Sequence, residues 1–517
     1  MRALLLLVIS SGVLASGALA QGVLPLDGRY RVGSLYTDFQ SNCAAAGSTP
    51  ELGSTRGEVT FGIDGRFTFT GASHEVCPNG QASTAPDVGA GRYFVGEDGR
   101  LTIDDAGATP GLDTFTLFLR SDAAVAVSAR KVCDETAEVL VLVALSSGMS
   151  NSSLAGTYRT ARLRLSNANP HVTRGEVARA VFSAAGTYTE SGTRRDVSPG
   201  GAVTSAPYTG NGTFQVAVDG ALTANTSGWG AVAPDAEVFF WVVHAGSEVE
   251  LTVGVREGSA YASRLVQGAW GTCRLDHDFG SAAARPGVIA TEYGTATLAP
   301  SGGGSLAWDY ERIETRQFGV RDCNDVTAPG AWSLAGSGQL SLTPTSDVPL
   351  DLAVSSDGTC AVGVSARPGS VGLCVALARC EWPRRFGRPT AGTARLAPSL
   401  FSLGGFPHVG NRSFAMLVAG GLGGAPGAVL TSLGDTPGLP LFGGTVWIDP
   451  TRLALQFPIA LSGPPAVPGV GAAGVFLPLP TTPSAAGLRL VSQAFLIDGG
   501  APAGIAMTPG LDVIVSR

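Results

Sequence analysis

The sequence predicts an all-β protein in which three tandem, small, antiparallel up-and-down β-barrels precede a further β domain. Three observations carry this prediction. An apolar-x-Gly-x-aromatic opening occurs three times, at Leu26-Asp27-Gly28-Arg29-Tyr30, Leu154-Ala155-Gly156-Thr157-Tyr158 and Val266-Gln267-Gly268-Ala269-Trp270. Glycine landmarks then recur at similar distances: Gly28, Gly65 and Gly99; Gly156, Gly186 and Gly220; Gly268, Gly303 and Gly338. Self-similarity at a fixed period is the mark of repeat architecture. Finally, short runs of alternating apolar and polar residues are divided by turn residues throughout, as strands with one buried face require.

In the first copy the opening leads into an alternating strand through Tyr30, Val32 and Leu35, and the third copy does the same through Trp270 and Leu275. Glu58 to Phe61 and Arg66 to Thr70 flank Ile63-Asp64-Gly65, and Arg92 to Val95 and Leu101 to Ile103 flank Asp98-Gly99. Phe214 to Val218 precedes Asp219-Gly220 in the second copy. Asp-Gly between apolar runs predicts hairpins with type I′ turns, which need positive φ at both central residues. Further strands are expected at Phe115–Leu119, Val125–Ala129 and Val139–Leu145, with Val238–His244 and Val249–Val255 as second-copy counterparts. The run Val238 to Val243 is continuous rather than alternating, which predicts burial on both faces. About eight strands per copy best satisfy one apolar face by closing into a barrel, which also removes exposed edges. Propeller blades and open sandwiches remain as alternatives. The expectation is of three separate units, each closed around its own core.

The boundaries read as a signal segment at 1–20, repeats at 21–148, 149–264 and 265–381, a linker at 382–395 and a final domain at 396–517. The linker carries the charge and proline cluster from Glu381 to Pro389. Beyond it charges nearly vanish, and strands are expected at Ser413–Val418, Gly444–Ile448, Gly474–Leu477 and Leu488–Ile497.

Two resemblances follow from these residues. Gly268-Ala269-Trp270 at the head of a first strand resembles the Gly-x-Trp signature of lipocalins, and the hairpins after it resemble bacterial lipocalin-like domains; Tyr30 and Tyr158 stand in the other copies. That likeness implies that the aromatic residue plugs the closed end of each barrel and that the open end takes a small apolar ligand. The tail, through Gly410-Asn-Arg-Ser-Phe414, Gly443 to Pro450, Val491 to Phe495 and Gly510 to Val515, resembles a C-terminal β-sandwich domain of secreted planctomycete-type bacterial proteins. It implies export and a β-sandwich, and no chemistry.

Export is also predicted directly. Met1-Arg2, the apolar stretch from Ala3 and the small-x-small site Ala18-Leu19-Ala20 form a secretory signal with cleavage near Ala20. The mature chain has no stretch long and apolar enough for a transmembrane segment. A net charge of -7 on 517 residues gives no basic surface for nucleic acid. The partners left are a cell-surface component or a small apolar ligand.

Eight cysteines in an exported chain predict disulfides. Cys43, Cys77 and Cys133 lie in the first copy; Cys273, Cys323, Cys360, Cys374 and Cys380 lie in or just after the third. By position, Cys43–Cys77 and Cys273–Cys323 are expected to join corresponding strand ends, and Cys360–Cys374 to face each other across a hairpin. Three and five are both odd, so full intrachain pairing requires the first and third copies to touch. Two unpaired or intermolecular cysteines are the alternative.

No catalytic motif is found. There is no Gly-x-Ser-x-Gly elbow, His-Glu-x-x-His, Cys-x-x-Cys or phosphate loop, and the five histidines are scattered. No cofactor is implied. Asp276 and Asp278 share a strand face and form a candidate ligand pair for a hard cation, with ordinary acidic turn residues as the plainer reading. The function these features predict is a non-catalytic exported β-repeat protein with a structural, adhesive or binding role. A carrier of a small apolar ligand and a hydrolase with an unrecognised acidic pair are the alternatives.

Overall fold

The computed structural model describes residues 26–515, apart from 27, 39–50, 63, 78–79, 97–99, 106–113, 121, 130–135, 168–171, 199–201, 260, 262–265, 279–287, 300–303, 317–320, 346, 348, 368–369, 379–382, 404–406, 483–484 and 486. The chain forms three closed eight-stranded antiparallel barrels and then further sheets. Barrel 1 contains β1 (Gly28–Asp38), β2 (Glu51–Phe61), β3 (Arg66–Val76), β4 (Ala82–Val95), β5 (Arg100–Asp105), β6 (Thr114–Leu119), β7 (Val125–Ala129) and β8 (Thr136–Ala144). Barrel 2 contains β9 (Gly156–Ser166), β10 (Val172–Phe182), β11 (Thr187–Val197), β12 (Val203–Val216), β13 (Ala221–Ala224), β14 (Gly228–Val232), β15 (Val238–Ala245) and β16 (Glu248–Arg256). Barrel 3 contains β17 (Gly268–Asp278), β18 (Val288–Leu298), β19 (Ser305–Arg316), β20 (Arg321–Leu334), β21 (Gln339–Pro344), β22 (Leu350–Val354), β23 (Cys360–Arg367) and β24 (Ser370–Ala378). In each barrel the first strand pairs with both the second and the last.

The repeated aromatic of each opening is buried inside its barrel. Tyr30 packs edge-on to Phe61, Tyr158 on Phe182 and Phe239, and Trp270 shares a cluster with Trp308 and Trp332. Asp98-Gly99 lies outside the described residues, and the described Asp219-Gly220 hairpin differs from expectation in turn type. Gly65 and Gly220 have φ of 77° and 85°, but Asp219 is not left-handed. Ala217 N–H donates to Ala221, and Asp219 accepts from the Ala221 N–H at 3.1 Å. The loop is therefore three residues long with glycine alone in the left-handed position, and the aspartate serves as an acceptor instead.

Barrels 2 and 3 each close around an interior cluster of their own, as expected, and the three barrels in addition share a core that the sequence did not announce. The main shared apolar cluster lies between them. It is built from outward residues of the first and last strands, such as Leu35, Val141, Leu163, Val253, Leu275 and Val375. Contacts run in a cycle: β1 and β2 lie on β14–β16, β9 and β10 lie on β23 and β24, and β17 and β18 lie on β7 and β8. Each barrel thus offers its first strands to the last strands of the next, a heterologous interface that closes after three steps as in a cyclic trimer. The seam strands are apolar on the outside, and β16 carries Val249, Leu251, Val253 and Val255 outward while Glu250 and Thr252 point inward. Val238 to Val242 is buried on both faces, because Phe239 and Trp241 fill the barrel and Phe240 and Val242 fill the ring core.

Closure brings the first and third copies together without a covalent link among the described residues. Thr37 and His277 share a hydrogen bond of 2.8 Å, and Phe118 stacks on Tyr293 at 4.4 Å. Cys360 and Cys374 are buried thiols and do not form the expected bridge. Cys360 pairs with Leu377, three residues from Cys374, and an odd offset sends the two side chains to opposite faces. Cys360 faces the ring core and Cys374 the barrel interior. Cys77 is disulfide-bonded. Cys43, Cys133, Cys380 and the side chain of Cys323 lie outside the described residues, as do the predicted signal segment and cleavage site.

The tail forms a separate compact unit. Its larger sheet runs β25 (Arg384–Phe386), β35 (Gly510–Ile514), β33 (Arg489–Ile497), β28 (Pro426–Ser432) and β31 (Leu453–Ala460), with β34 (Ile505–Met507) beside β33. A second sheet runs β26 (Ser399–Leu403), β27 (Ala415–Gly421) and β32 (Gly471–Phe476). Met416, Val418 and Val475 of the second sheet share one core with Val429, Leu496 and Val513 of the first, as two stacked sheets of a sandwich do. A hairpin of β29 (Asp435–Leu441) and β30 (Gly444–Ile448) completes it. Arg384 to Phe386, expected within the linker, pairs instead with the last strand.

Candidate functional site: an outer cleft between barrels 2 and 3

The barrel interiors come first, because they are where a carried ligand would sit. In barrel 2 the even residues of β9 point inward and place Arg162 in the middle. Its guanidinium meets Glu176 at 2.7 Å, Glu250 at 3.1 Å and Glu190 at 3.2 Å. Arg162 also donates to Thr252 at 3.0 Å. Burial pushes the Glu190 carboxyl up. For Glu250 burial acts the same way, but Arg162 and Arg164 outweigh it and hold the carboxyl below its ordinary value. Barrel 3 repeats the plan with different acids. Arg274, 1% exposed, pairs with Asp276, Glu292 and Asp347. Among the described residues these interiors carry ion-pair clusters and aromatic plugs, a charged lining rather than an apolar one.

Asp276, one of the two candidate cation ligands, has protein partners in this arrangement. Its carboxylate points into barrel 3, pairs with Arg274 and accepts from the Ser365 hydroxyl at 2.6 Å. The side chain of Asp278 lies outside the described residues. Among the described residues no group of three or more histidine, cysteine or acidic side chains is placed to hold a metal.

A second charged cluster marks the ring. The turn between the sixth and seventh strand of each barrel has an aspartate followed by a left-handed residue: Asp122-Ala123, Asp235-Ala236 and Asp357-Gly358, with φ of 59°, 58° and 75°. Each aspartate accepts from the backbone two residues on, at 2.9, 3.1 and 3.0 Å. The buried Arg120 pairs with Asp122 at 2.6 Å and Asp235 at 2.7 Å, with Asp357 also acting on it. Burial alone would lower Arg120, and these carboxylates reverse that. Nearby, burial and then Asp357 push Glu237 up to about 7, while the Ser356 hydroxyl donates to it at 2.6 Å across the barrel 2–barrel 3 seam. The cluster ties barrels together.

Open space lies on one seam. A cleft of about 540 Å³ runs between the outer faces of β10 and β11 in barrel 2 and β21–β23 in barrel 3. Val177, Val362 and Val364 give it an apolar strip, and Ser191, Thr193, Ser337 and Gln339 line it with hydroxyl and amide groups. It continues past Arg179 and Ser191 into a shallower trough of about 360 Å³ reaching Thr209 and Asn211. Arg159 and Arg179 stand at one end, both paired with Glu257. Arg195 lies at the other. Strand alternation sets its role: Arg194 turns inward with Asp196, at 3.1 Å, and Arg195 turns outward into the cleft. Among the described residues no carboxylate or hydrogen-bond acceptor pairs with Arg195.

Aromatic side chains pack at the other two seams. Phe240 fills the space over Gly33 at the barrel 1–barrel 2 seam, where an added Cβ would come within 2.4 Å of its ring, and Arg31 lies 4.4 Å over Trp229. Phe118 fills the space over Gly271 at the barrel 1–barrel 3 seam, with a corresponding approach of 2.2 Å. At the barrel 2–barrel 3 seam the plug over Gly175 is aliphatic, from Val364 and Val371. Sequence reasoning missed the cleft because its walls come from strands far apart in the chain. The adjacent Arg194-Arg195 in an alternating strand was the one available signal.

Fold and site together define a class, a single-chain ring of three closed β-barrels with a polar cleft on one outer seam. No protein-family model matches the chain. No curated protein matches it either. Among solved structures, the isotype 1 transferrin binding protein B of serogroup B Neisseria meningitidis is similar at 8% identity and a TM-score of 0.19, over 69% of this chain and 78% of that one. Kievitone hydratase of Nectria haematococca is similar at 9% identity and a TM-score of 0.18, over 69% of this chain and 94% of that one. Likenesses this slight carry no argument about activity or ligand.

Proposed function

We propose that this is an exported, non-catalytic binding protein whose barrel ring is a rigid scaffold and whose ligand is held in the outer cleft. The observation that carries the reading is the contrast between the two kinds of space. The interiors of barrels 2 and 3 hold closed ion-pair clusters around Arg162 and Arg274, while the cleft between them is open and half polar. A small apolar ligand gains affinity from burial in apolar surface, and a charged lining opposes that. The signal-like residues 1–20 and the tail, of a kind found on exported proteins, support a place outside the cytoplasm.

Two measurements test this. Titration with a fluorescent fatty acid is expected to show no saturable binding; saturable binding lost on substitution of Arg162 would return the ligand to the barrel interior. Fractionation of the producing cells is expected to find the chain outside the cytoplasm and lacking its first 20 or so residues. Intact chain confined to the cytoplasm would overturn the export reading.

A further inference from the structure

We infer that the cleft ligand is an acidic oligosaccharide, a chain of sugar units bearing carboxylates; this rests on the cleft being the binding site. The guanidinium of Arg195 lines the cleft with no partner among the described residues, although Asp196 is its neighbour in sequence. An Arg fork with five donors and no acceptor is built to take a carboxylate. Arg159 and Arg179 at the far end share the single carboxylate of Glu257, which leaves donor capacity there too. Among the described lining residues Asp351 opposes this charge in the cleft, where its carboxylate already accepts from Ser341 at 2.6 Å, and Glu190 does so in the trough, where it is paired with Arg162.

Between the charged ends, Ser191, Thr193 and Gln339 present donors and acceptors at spacings set by the strands, while Val177 and Val364 offer a surface for the C–H face of a sugar ring. The shallower trough extends the same character past Thr209 and Asn211, so the site suits a chain rather than a single unit. A peptide is the weaker fit. Peptide grooves of this shape work by adding a strand to a free sheet edge, and the closed barrels that make both walls have no free edge. The lining holds no aromatic ring for stacking a neutral sugar, which leaves the carboxylate–guanidinium contact to fix orientation.

The test uses the full chain with a galacturonate oligomer, a neutral galactose oligomer and a glutamate-rich peptide of matched charge, by calorimetry at low and high salt. The galacturonate oligomer is expected to bind, at least tenfold more tightly than the neutral one, and to weaken with salt. Arg195→Ala is expected to cost at least tenfold, with Arg195→Lys between the two. Ser191→Trp, an exposed position that places a large side chain in the cleft, is expected to abolish binding. Thermal unfolding of each variant checks that it folds. Loss in Ser191→Trp with full affinity in Arg195→Ala would keep the cleft and overturn the acidic ligand. Binding indifferent to both variants would overturn the cleft as well. Equal binding of the peptide, or no binding of the galacturonate oligomer, would overturn the saccharide assignment.

Discussion

Replacing Arg162 by Met asks directly whether the barrel interior is a closed, dry ion-pair cluster. The guanidinium stands among Glu176, Glu190 and Glu250, and the variant leaves three carboxylates facing one another inside barrel 2, with Arg164 as the nearest remaining cation. Removing one member of a buried charge cluster costs about 3–5 kcal/mol, because the others stay desolvated and uncompensated. The contribution of Glu250 to the pH dependence should change sign, while that of Glu190, already raised, should grow. In the native protein Glu250 is held below its ordinary 4.5, so its contribution is present above that pH and fades as acid protonates it. In the variant the carboxyls rise above 4.5, so stability is greatest in acid and falls as pH increases through the new values. The difference between the proteins is therefore largest near pH 8 and shrinks toward pH 5. Urea unfolding followed by the fluorescence of the buried Trp241 measures it. A loss under about 1 kcal/mol at pH 8 would mean that water reaches these carboxylates, and the filled-barrel argument would fail.

Three other outcomes follow from the seams. Gly271→Val places a branched side chain where a Cβ alone would come within 2.2 Å of Phe118, and overpacking should cost about 1–3 kcal/mol; adding Phe118→Ala should recover part of it, and strictly additive losses in a double-mutant cycle would contradict the contact. Glu237, raised to about 7, disfavours folding as pH rises from 4.5 toward 7, so Glu237→Gln should stabilise the protein at pH 8 by about 1–2 kcal/mol after allowance for partial exposure, and leave it unchanged at pH 4. Burial holds His277 at about 4 against an ordinary 6.5, so the unfolded chain takes up a proton first and stability should fall by about 2–3 kcal/mol between pH 6.5 and 4; His277→Asn should flatten that slope, and a slope that survives the substitution belongs to other groups.

Much of the fold was legible because β-structure writes its period locally. Alternation, Asp and Gly at turns and the thrice-repeated Gly-x-aromatic opening located the strands and implied closure, and Tyr30, Tyr158 and Trp270 do lie inside their barrels. What alternation does not say is which face is wet. In β16 alternation groups the valines and leucine on one face without saying which, and they face outward into the ring core while Glu250 points inward. Nothing within one strand distinguishes an apolar interior from an apolar exterior when both are buried. The odd register offset between Cys360 and Cys374 was equally invisible, since it depends on where the hairpin turns. The cleft was hidden for a related reason, because Arg195 gains its setting only when β23 arrives from far along the chain.

The ring also gives a reason for the cleft to sit where it does. Three copies joined head to tail begin with one interface repeated three times, and each repeat demands the same filling of the same gap. A homotrimer cannot change one seam without changing all three, whereas a single chain carrying three copies can. Phe240 and Phe118 pack over Gly33 and Gly271 at two of the seams. At the third seam Val371 and Val364 cover Gly175 as closely, 2.4 and 2.5 Å from an added Cβ, and Val364 also lines the cleft of about 540 Å³. All three seams contribute to the shared core, and at the third the outer walls above it carry Ser191, Thr193 and Arg195.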